Sequence, residues 1–259
     1  MSTPFFYTQD LTIRFGGLTA VDHLNFEIRQ GEILSLIGPN GAGKTTAFNA
    51  ITGFLSLAEG SIHFCGKSLT GLPPFQIAKR GLIRTFQKTS VFPEVTVEEC
   101  IEMGAHKIAE TGILPVLFHS SRYRKKEKAV AEQVKEVLNF TGLTEKADVL
   151  AKNLSYGEQR LLEIAVALAA APTLLLLDEP VSGMNPEESR STMERILALR
   201  KQGITVLLVE HDMSVVMDIS DRIVVLNYGK KIAEGSPKEV CENSEVIEAY
   251  LGRSFGCSL

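Results

Sequence analysis

Lys44, Thr45 and Thr46 end the segment GPNGAGKTT, in which Gly38, Gly41 and Gly43 follow the apolar run Ile33-Leu34-Ser35-Leu36-Ile37. The spacing matches G-x-x-x-x-G-K-[ST] from Gly38 to Thr45. Glycines at those positions let backbone N–H groups curl towards a phosphate, and the start of a following helix adds its partial positive charge. Lys44 would supply a point charge, and the Thr45 hydroxyl suits Mg²⁺. Asn40 and Thr46 belong to the same loop, so residues 40–46 are the candidate contacts for a nucleotide triphosphate. A second apolar run ends in LLLLDEP. Ionised carboxylates at the end of a buried strand are costly unless they meet a cation or water. Asp178 would hold Mg²⁺ through its water shell, and Glu179 would polarise a water attacking the γ-phosphate. Either acid alone is equally read as a solvated strand end; beside a phosphate loop the pair points to hydrolysis.

The elements that must position these groups fall into two patterns. Leu11, Ile13 and Phe15, then Leu24, Phe26 and Ile28, then Ile62 and Phe64 alternate with period two, which predicts half-buried antiparallel strands. Ile33 to Ile37, Leu174 to Leu177 and Thr205 to Val209 are instead continuous apolar runs, as parallel strands covered on both faces require. Val130, Val134, Val137 and Leu138 recur at helical spacing between the first and second of these runs, which predicts an inserted helical lobe over about 89–170. Ile223 to Leu226, the turn NYGK and Ile232-Ala233 predict a hairpin, with a helix from about Pro237.

Bulk properties narrow the functions. The chain has 259 residues, 27 basic and 31 acidic side chains and a formal charge of −4, so no general basic field draws it to nucleic acid. The four cysteines are widely spaced and lack a C-x-x-C pair, so spacing indicates neither a zinc site nor a disulfide framework, and reduced thiols in the cytoplasm are expected. The start MSTPFFYTQD has no secretory pattern, and the run Ile164 to Leu177 is too short to span a bilayer and is interrupted by Pro172.

LSYGEQR, Leu154 to Arg160, completes the pattern. Ser155 and Glu158 form an S-x-x-E capping box before an apolar helix, and a helix start with a small hydroxyl and Gly157 is also an anion site. With the loop upstream and Asp178-Glu179 downstream, the chain resembles the ABC-type ATPases over essentially its whole length. The resemblance implies one α/β nucleotide-binding domain, residues 1–259, with a P-loop (RecA-like) parallel-sheet core, an antiparallel β lobe and the inserted helical subdomain. It implies ATP and Mg²⁺ as ligands and a head-to-tail pairing with a second ATPase subunit, the same or different, in which Ser155, Gly157 and Glu158 complete the neighbour's site. It further implies Gln87 as a sensor of Mg²⁺ and the attacking water, His211 as a γ-phosphate contact, and Phe15 as the aromatic against adenine. As a residue, Phe15 is equally a core-facing strand position.

RFGGLTAV, IRTFQ, LSYGEQRLLEIA, GMNP, VEHDM and VIEAYLG together look like the ATPase subunits of branched-chain amino acid importers, and the extra residues between Met103 and Lys128 resemble the longer of that system's two ATPases. That likeness implies transmembrane permease partners, an indirect substrate-binding protein, no nucleic acid, and a cytoplasmic location on the inner face of the membrane. Urea, lipid and lipopolysaccharide transport, and soluble ABC switches of DNA repair or translation, remain alternatives. Three departures bear on coupling between paired sites: Tyr156 stands where the common signature has its first glycine, Glu158 where it often has glutamine, and Asn185 where many members have aspartate. Residues 112–128 join an apolar run to the basic cluster Arg122, Arg124, Lys125 and Lys126, a pattern read either as a docking surface or as the packing and solvated face of the helical lobe.

Overall fold

The computed structural model describes residues 4–85, 93–105 and 121–250, without the side chains of 121–126. Gln87 and the apolar part of the 112–128 segment lie outside the described residues. The described residues fall into two compact units, one made of 4–84, 173–179 and 196–250, the other of 85, 93–105, 121–172 and 180–195.

The first unit holds two sheets. Strands β1 (Phe6–Phe15), β2 (Leu18–Ile28), β4 (Glu59–Phe64) and β5 (Lys67–Ser68) form an antiparallel sheet in the order β2-β1-β4-β5. The second sheet runs β10-β9-β3-β8-β7-β6, with β3 (Ile33–Ile37), β6 (Leu82–Arg84), β7 (Leu174–Asp178), β8 (Thr205–Val209) and β9 (Arg222–Asn227) parallel, and β10 (Lys230–Gly235) antiparallel at its edge. Every residue of β3, β7 and β8 is buried, which is why these strands read as continuous apolar runs. One core joins Leu11, Ile13, Leu24 and Phe26 of the first sheet to Leu36, Leu176 and Leu207 of the second, with Phe48 and Ile51 of the helix Lys44–Ile51.

Register fixes where chemistry can occur. Leu36 pairs with Val209, and Val209 with Asp178, so β3, β8 and β7 end level with one another. The loop after β3, Glu179 after β7 and His211 after β8 therefore leave the sheet at the same edge, where open α/β sheets bind their ligands.

The β1 alternation fails at its end. Asp10 has φ +49°, and the register with β2 shifts between Thr8 and Leu11, again between Leu11 and Ile13, and again between Ile13 and Arg14; Leu11, Thr12 and Ile13 are buried in succession and Phe15 is 50% exposed. The irregularity turns Phe15 out of the core. The terminal helix is two short ones, Pro237–Cys241 and Ser244–Tyr250. Cys65 and Cys100 are free thiols.

In the second unit, Cys100 and Ile101 of the helix Val97–Ala105, Val134 and Leu138 of Ser121–Thr141, and Leu162 and Ala165 of Tyr156–Ala169 are buried. The last helix starts at the predicted capping box: the Glu158 N–H donates to Ser155 Oγ (3.3 Å), and the Ser155 N–H donates to Glu158 Oε2 (2.8 Å). The hydrogen bond from the Ser155 N–H, against the opposing effect of partial burial and aided by Lys146 at 3.4 Å, holds the Glu158 carboxyl below the usual glutamate range.

Two stability predictions follow from these contacts. A depressed folded pKa contributes stability above the unfolded value and loses it as pH falls through the folded value. Glu158→Gln should therefore cost about 0.5 kcal/mol at pH 7, a difference that narrows in urea unfolding as pH drops below about 4.3; a pH-independent difference would show that the charge is not the cause. The second concerns a buried pair that the sequence did not announce. Arg84 Nη2 donates to Asp178 Oδ2 at 2.8 Å, with side chains 7% and 1% exposed, while Arg84 Nη1 donates to Asn49 Oδ1 at 2.6 Å. Arg84→Met leaves that carboxylate without its guanidinium and should destabilise the fold by about 3–5 kcal/mol. Adding Asp178→Asn should restore part of the loss; a single-variant loss under about 1 kcal/mol would mean the pair does not hold this edge together.

Candidate functional site

The loop that leaves β3 wraps the start of the helix Lys44–Ile51. No side chain caps this helix, and its first turn carries no acid, so its N–H groups face outward as an anion site. Gly43, the N-cap, sits at φ +101°, and a Cβ there would lie 2.7 Å from the Ala20 carbonyl oxygen. Only glycine fits both the conformation and the space. Lys44 Nζ donates to the carbonyls of Gly38 (2.6 Å) and Pro39 (3.0 Å), which places the ammonium over the loop. A cavity of about 320 Å³ opens here, lined by Leu18, Thr19, Ala20, Tyr228 and residues 41–46. Asn40 lies on the rim of an adjoining cavity with Gly41 and Ala42. Phe15 is not among the described residues that line either one.

The acids stand at the ends of the neighbouring strands. Asp178 closes β7 in its pair with Arg84. Glu179 follows in the left-handed region, φ +49°, with its N–H donating to the Val209 carbonyl at 2.8 Å. A non-glycine residue held there is strained, and the hydrogen bond to β8 fixes it. His211 Nδ1 lies 3.8 Å from Glu179 Oε1 and 3.6 Å from Glu210 Oε2; the His211 ring is 58% exposed and Glu179 27%, so both can reach solvent and a ligand. The first unit thus brings together the loop 38–46, Asp178, Glu179 and His211. Arg84 is the member that sequence reading missed; its signal is a lone cation inside the strand Leu82-Ile83-Arg84.

Ser155, Gly157 and Glu158 belong to the second unit, as do Tyr156 and the loop 180–185. Here two of the departures, Tyr156 and Asn185, acquire physical reasons. Asn185 Oδ1 accepts from the N–H groups of Glu187 and Glu188, both at 3.0 Å, and Glu188 Oε2 accepts from the Asn185 N–H at 3.0 Å. Asparagine caps the helix Pro186–Lys201 as aspartate would, without the charge. The Tyr156 ring lies against Gly183, and its hydroxyl accepts from Arg160 Nε (3.2 Å) and Nη2 (2.9 Å), with Arg160 also paired to Glu163 at 2.9 Å. Gly157 packs on the Glu188 carboxylate, where an added Cβ would lie 2.8 Å from it. The start of the helix Tyr156–Ala169 and the loop before Pro186–Lys201 are therefore packed as one piece, and tyrosine is the ring that joins them.

The chain matches the family model for ABC transporters over residues 21–182 and a second model, the branched-chain amino acid ATP-binding cassette transporter, over residues 230–256. It is 43% identical to the high-affinity branched-chain amino acid transport ATP-binding protein BraF of Pseudomonas aeruginosa and 44% identical to LivG, of the same description, from Escherichia coli K12; each alignment covers 98% of this chain and 100% of the relative. A crystal structure of the ADP conformation of an ATP-binding cassette of an ABC transporter is 33% identical and superposes with a TM-score of 0.85, covering 97% of this chain and 100% of that one. A phosphate loop at a strand end, acids level with it, a capped LSYGEQR helix and matches of this extent lead to one assignment: the chain belongs to the ABC transporter family, as an ATP-binding cassette with the fold of the ABC ATPases.

Proposed function

We propose that this ATPase drives an importer of branched-chain or related amino acids, as one half of a head-to-tail pair of cassettes on the cytoplasmic face of the membrane, beneath transmembrane permease subunits that receive cargo from a binding protein. The observation that carries the reading is the common edge at which β3, β8 and β7 end, with the loop 38–46, Glu179 and His211 leaving it. The cargo rests on the likeness to the BraF and LivG proteins over their full length and on the second family match at residues 230–256. No helix among the described residues is long and apolar enough to cross a membrane, so attachment runs through partners in this reading.

In the proposed reaction the N–H groups of residues 41–46 and the Lys44 ammonium hold the β- and γ-phosphates of ATP. Thr45 and, through its water shell, Asp178 offer oxygen donors of the hard kind that would suit Mg²⁺, and Gln87 would join them; when bound, the ion would neutralise charge on the phosphate oxygens. Glu179 orients a water molecule and accepts its proton as the water oxygen bonds to the γ-phosphorus and the bond to the β–γ bridging oxygen breaks. His211, beside Glu179, contacts the γ-phosphate, and Phe15 offers its exposed ring to the base. Ser155, Gly157 and Glu158 close the partner's site. The helical unit is, in this reading, the inserted subdomain that faces the permease.

The catalytic assignment is tested on the purified chain. Lys44→Ala should abolish ATP turnover together with tight nucleotide binding, while Glu179→Gln should slow turnover about 10²–10⁴-fold and keep binding. Wild-type turnover in Glu179→Gln would remove that residue from the reaction. Sedimentation of Glu179→Gln with Mg-ATP should reveal a dimer absent without nucleotide, and Ser155→Ala should weaken it; a profile unchanged by ATP up to high protein concentration counts against pairing of like cassettes. The cargo is tested in cells lacking the chain: uptake of radiolabelled leucine should fall and return with the wild type but not with Lys44→Ala. Undiminished leucine uptake with impaired urea uptake would assign the other system.

A further inference from the structure

The turn that joins β9 to β10 is two residues long, Tyr228-Gly229, between the paired Asn227 and Lys230. Both residues have positive φ, +46° and +79°, the geometry of the tight hairpin turn that selects Asn-Gly or Gly-Gly. A tyrosine in the first place breaks that rule at a free-energy cost, and backbone strain of this kind gathers at functional sites. The turn is also fastened. The Gly229 N–H donates to the carbonyl of Ala42 in the phosphate loop at 3.0 Å, the Asp22 N–H donates to the Gly229 carbonyl at 2.9 Å, and Lys230 Nζ lies 3.3 Å from Asp22 Oδ2.

The ring itself is not used by the fold. Tyr228 is 86% exposed, the most exposed of the large apolar side chains among the described residues. It lines the cavity beside residues 41–46 together with Leu18, which is 66% exposed. A strained aromatic, in a turn whose Gly229 is fixed to the phosphate loop by a backbone hydrogen bond, and left in water at the cavity rim, gains nothing from the protein that holds it. A planar ligand group in that cavity would cover it.

We propose that Tyr228 is a nucleotide-contacting residue whose ring packs on the nucleoside part of ATP bound at residues 38–46. The inference rests on ATP binding at that loop and adds to it a contact that the phosphate motif does not supply. Aromatic faces stack on any base, so the residue contributes affinity for nucleosides over bare phosphates more than discrimination between bases.

Tyr228→Asn removes the ring and installs a residue that the turn accepts, so the variant is expected to fold; Tyr228→Phe keeps the ring without the hydroxyl. In the Glu179→Gln background, calorimetric titration with Mg-ATP should show binding about tenfold weaker for Tyr228→Asn and near the parent value for Tyr228→Phe. Titration with magnesium tripolyphosphate, which lacks a nucleoside, should be the same in all three. The chain contains no tryptophan, so Tyr228→Trp adds a single reporter, and its emission should change on addition of Mg-ATP and not of tripolyphosphate. Equal ATP affinity in Tyr228→Asn and its parent, or equal weakening towards ATP and tripolyphosphate, overturns the contact while leaving the ATPase reading intact. Failure of the parent itself to bind Mg-ATP overturns both.

Discussion

The uncapped start of the helix Lys44–Ile51 is the feature on which the rest of this structure depends. A helix begins with N–H groups that need partners, and proteins ordinarily satisfy some of them with a side chain one position before the first turn. Here that position is Gly43, which can offer nothing, and no acid follows in the first turn. The omission becomes useful because the helix is held in place by other means. Phe48 and Ile51 anchor it in the core, Ala20 closes on Gly43, and the Tyr228-Gly229 turn bonds to Ala42. The β3, β7 and β8 registers then bring the acids level with the exposed amides. A sheet edge that gathers amide donors, an ammonium and carboxylates can bind a polyphosphate and its metal, which one of these groups alone could not do.

The same economy governs the acids. Asp178 is buried, and a buried carboxylate without a counter-charge is costly. Arg84 meets that need and reaches Asn49 on the helix Lys44–Ile51 with its other nitrogen, so one guanidinium ties β6, β7 and the phosphate-loop helix together. Glu179, one residue further on, is left partly exposed on a strained backbone. Adjacent acids thus have separate environments, one fixed by an ion pair and one facing water. That separation suits the different roles proposed for the two residues.

Much of this was legible in the sequence because its causes are local or strongly periodic. Strands buried on both faces must be apolar throughout, so β3, β7 and β8 were visible as runs, and Ser155 with Glu158 specified a cap that the structure forms. What was not legible depends on distant contacts. The alternation of Leu11, Ile13 and Phe15 suggested one face, but the register shifts after Leu11 and after Ile13, set by pairing with β2, turn Phe15 outward. Arg84 reads as a stray charge until β6 is placed beside β7. Tyr156 and Asn185 looked like losses, since their compensating partners, Gly183 with Arg160 and the Glu187 and Glu188 amides, come together only in the folded chain.

The central claim is that the amides at the start of the helix Lys44–Ile51 receive the phosphates. Hydrogen exchange of the backbone, followed by mass spectrometry with and without Mg-ATP in the Glu179→Gln background, tests it without assuming any catalytic role. The account predicts that peptides covering residues 40–46 show the largest slowing on nucleotide addition, with lesser slowing around Tyr228-Gly229. Unchanged exchange across 40–46 under conditions where nucleotide is bound would contradict it.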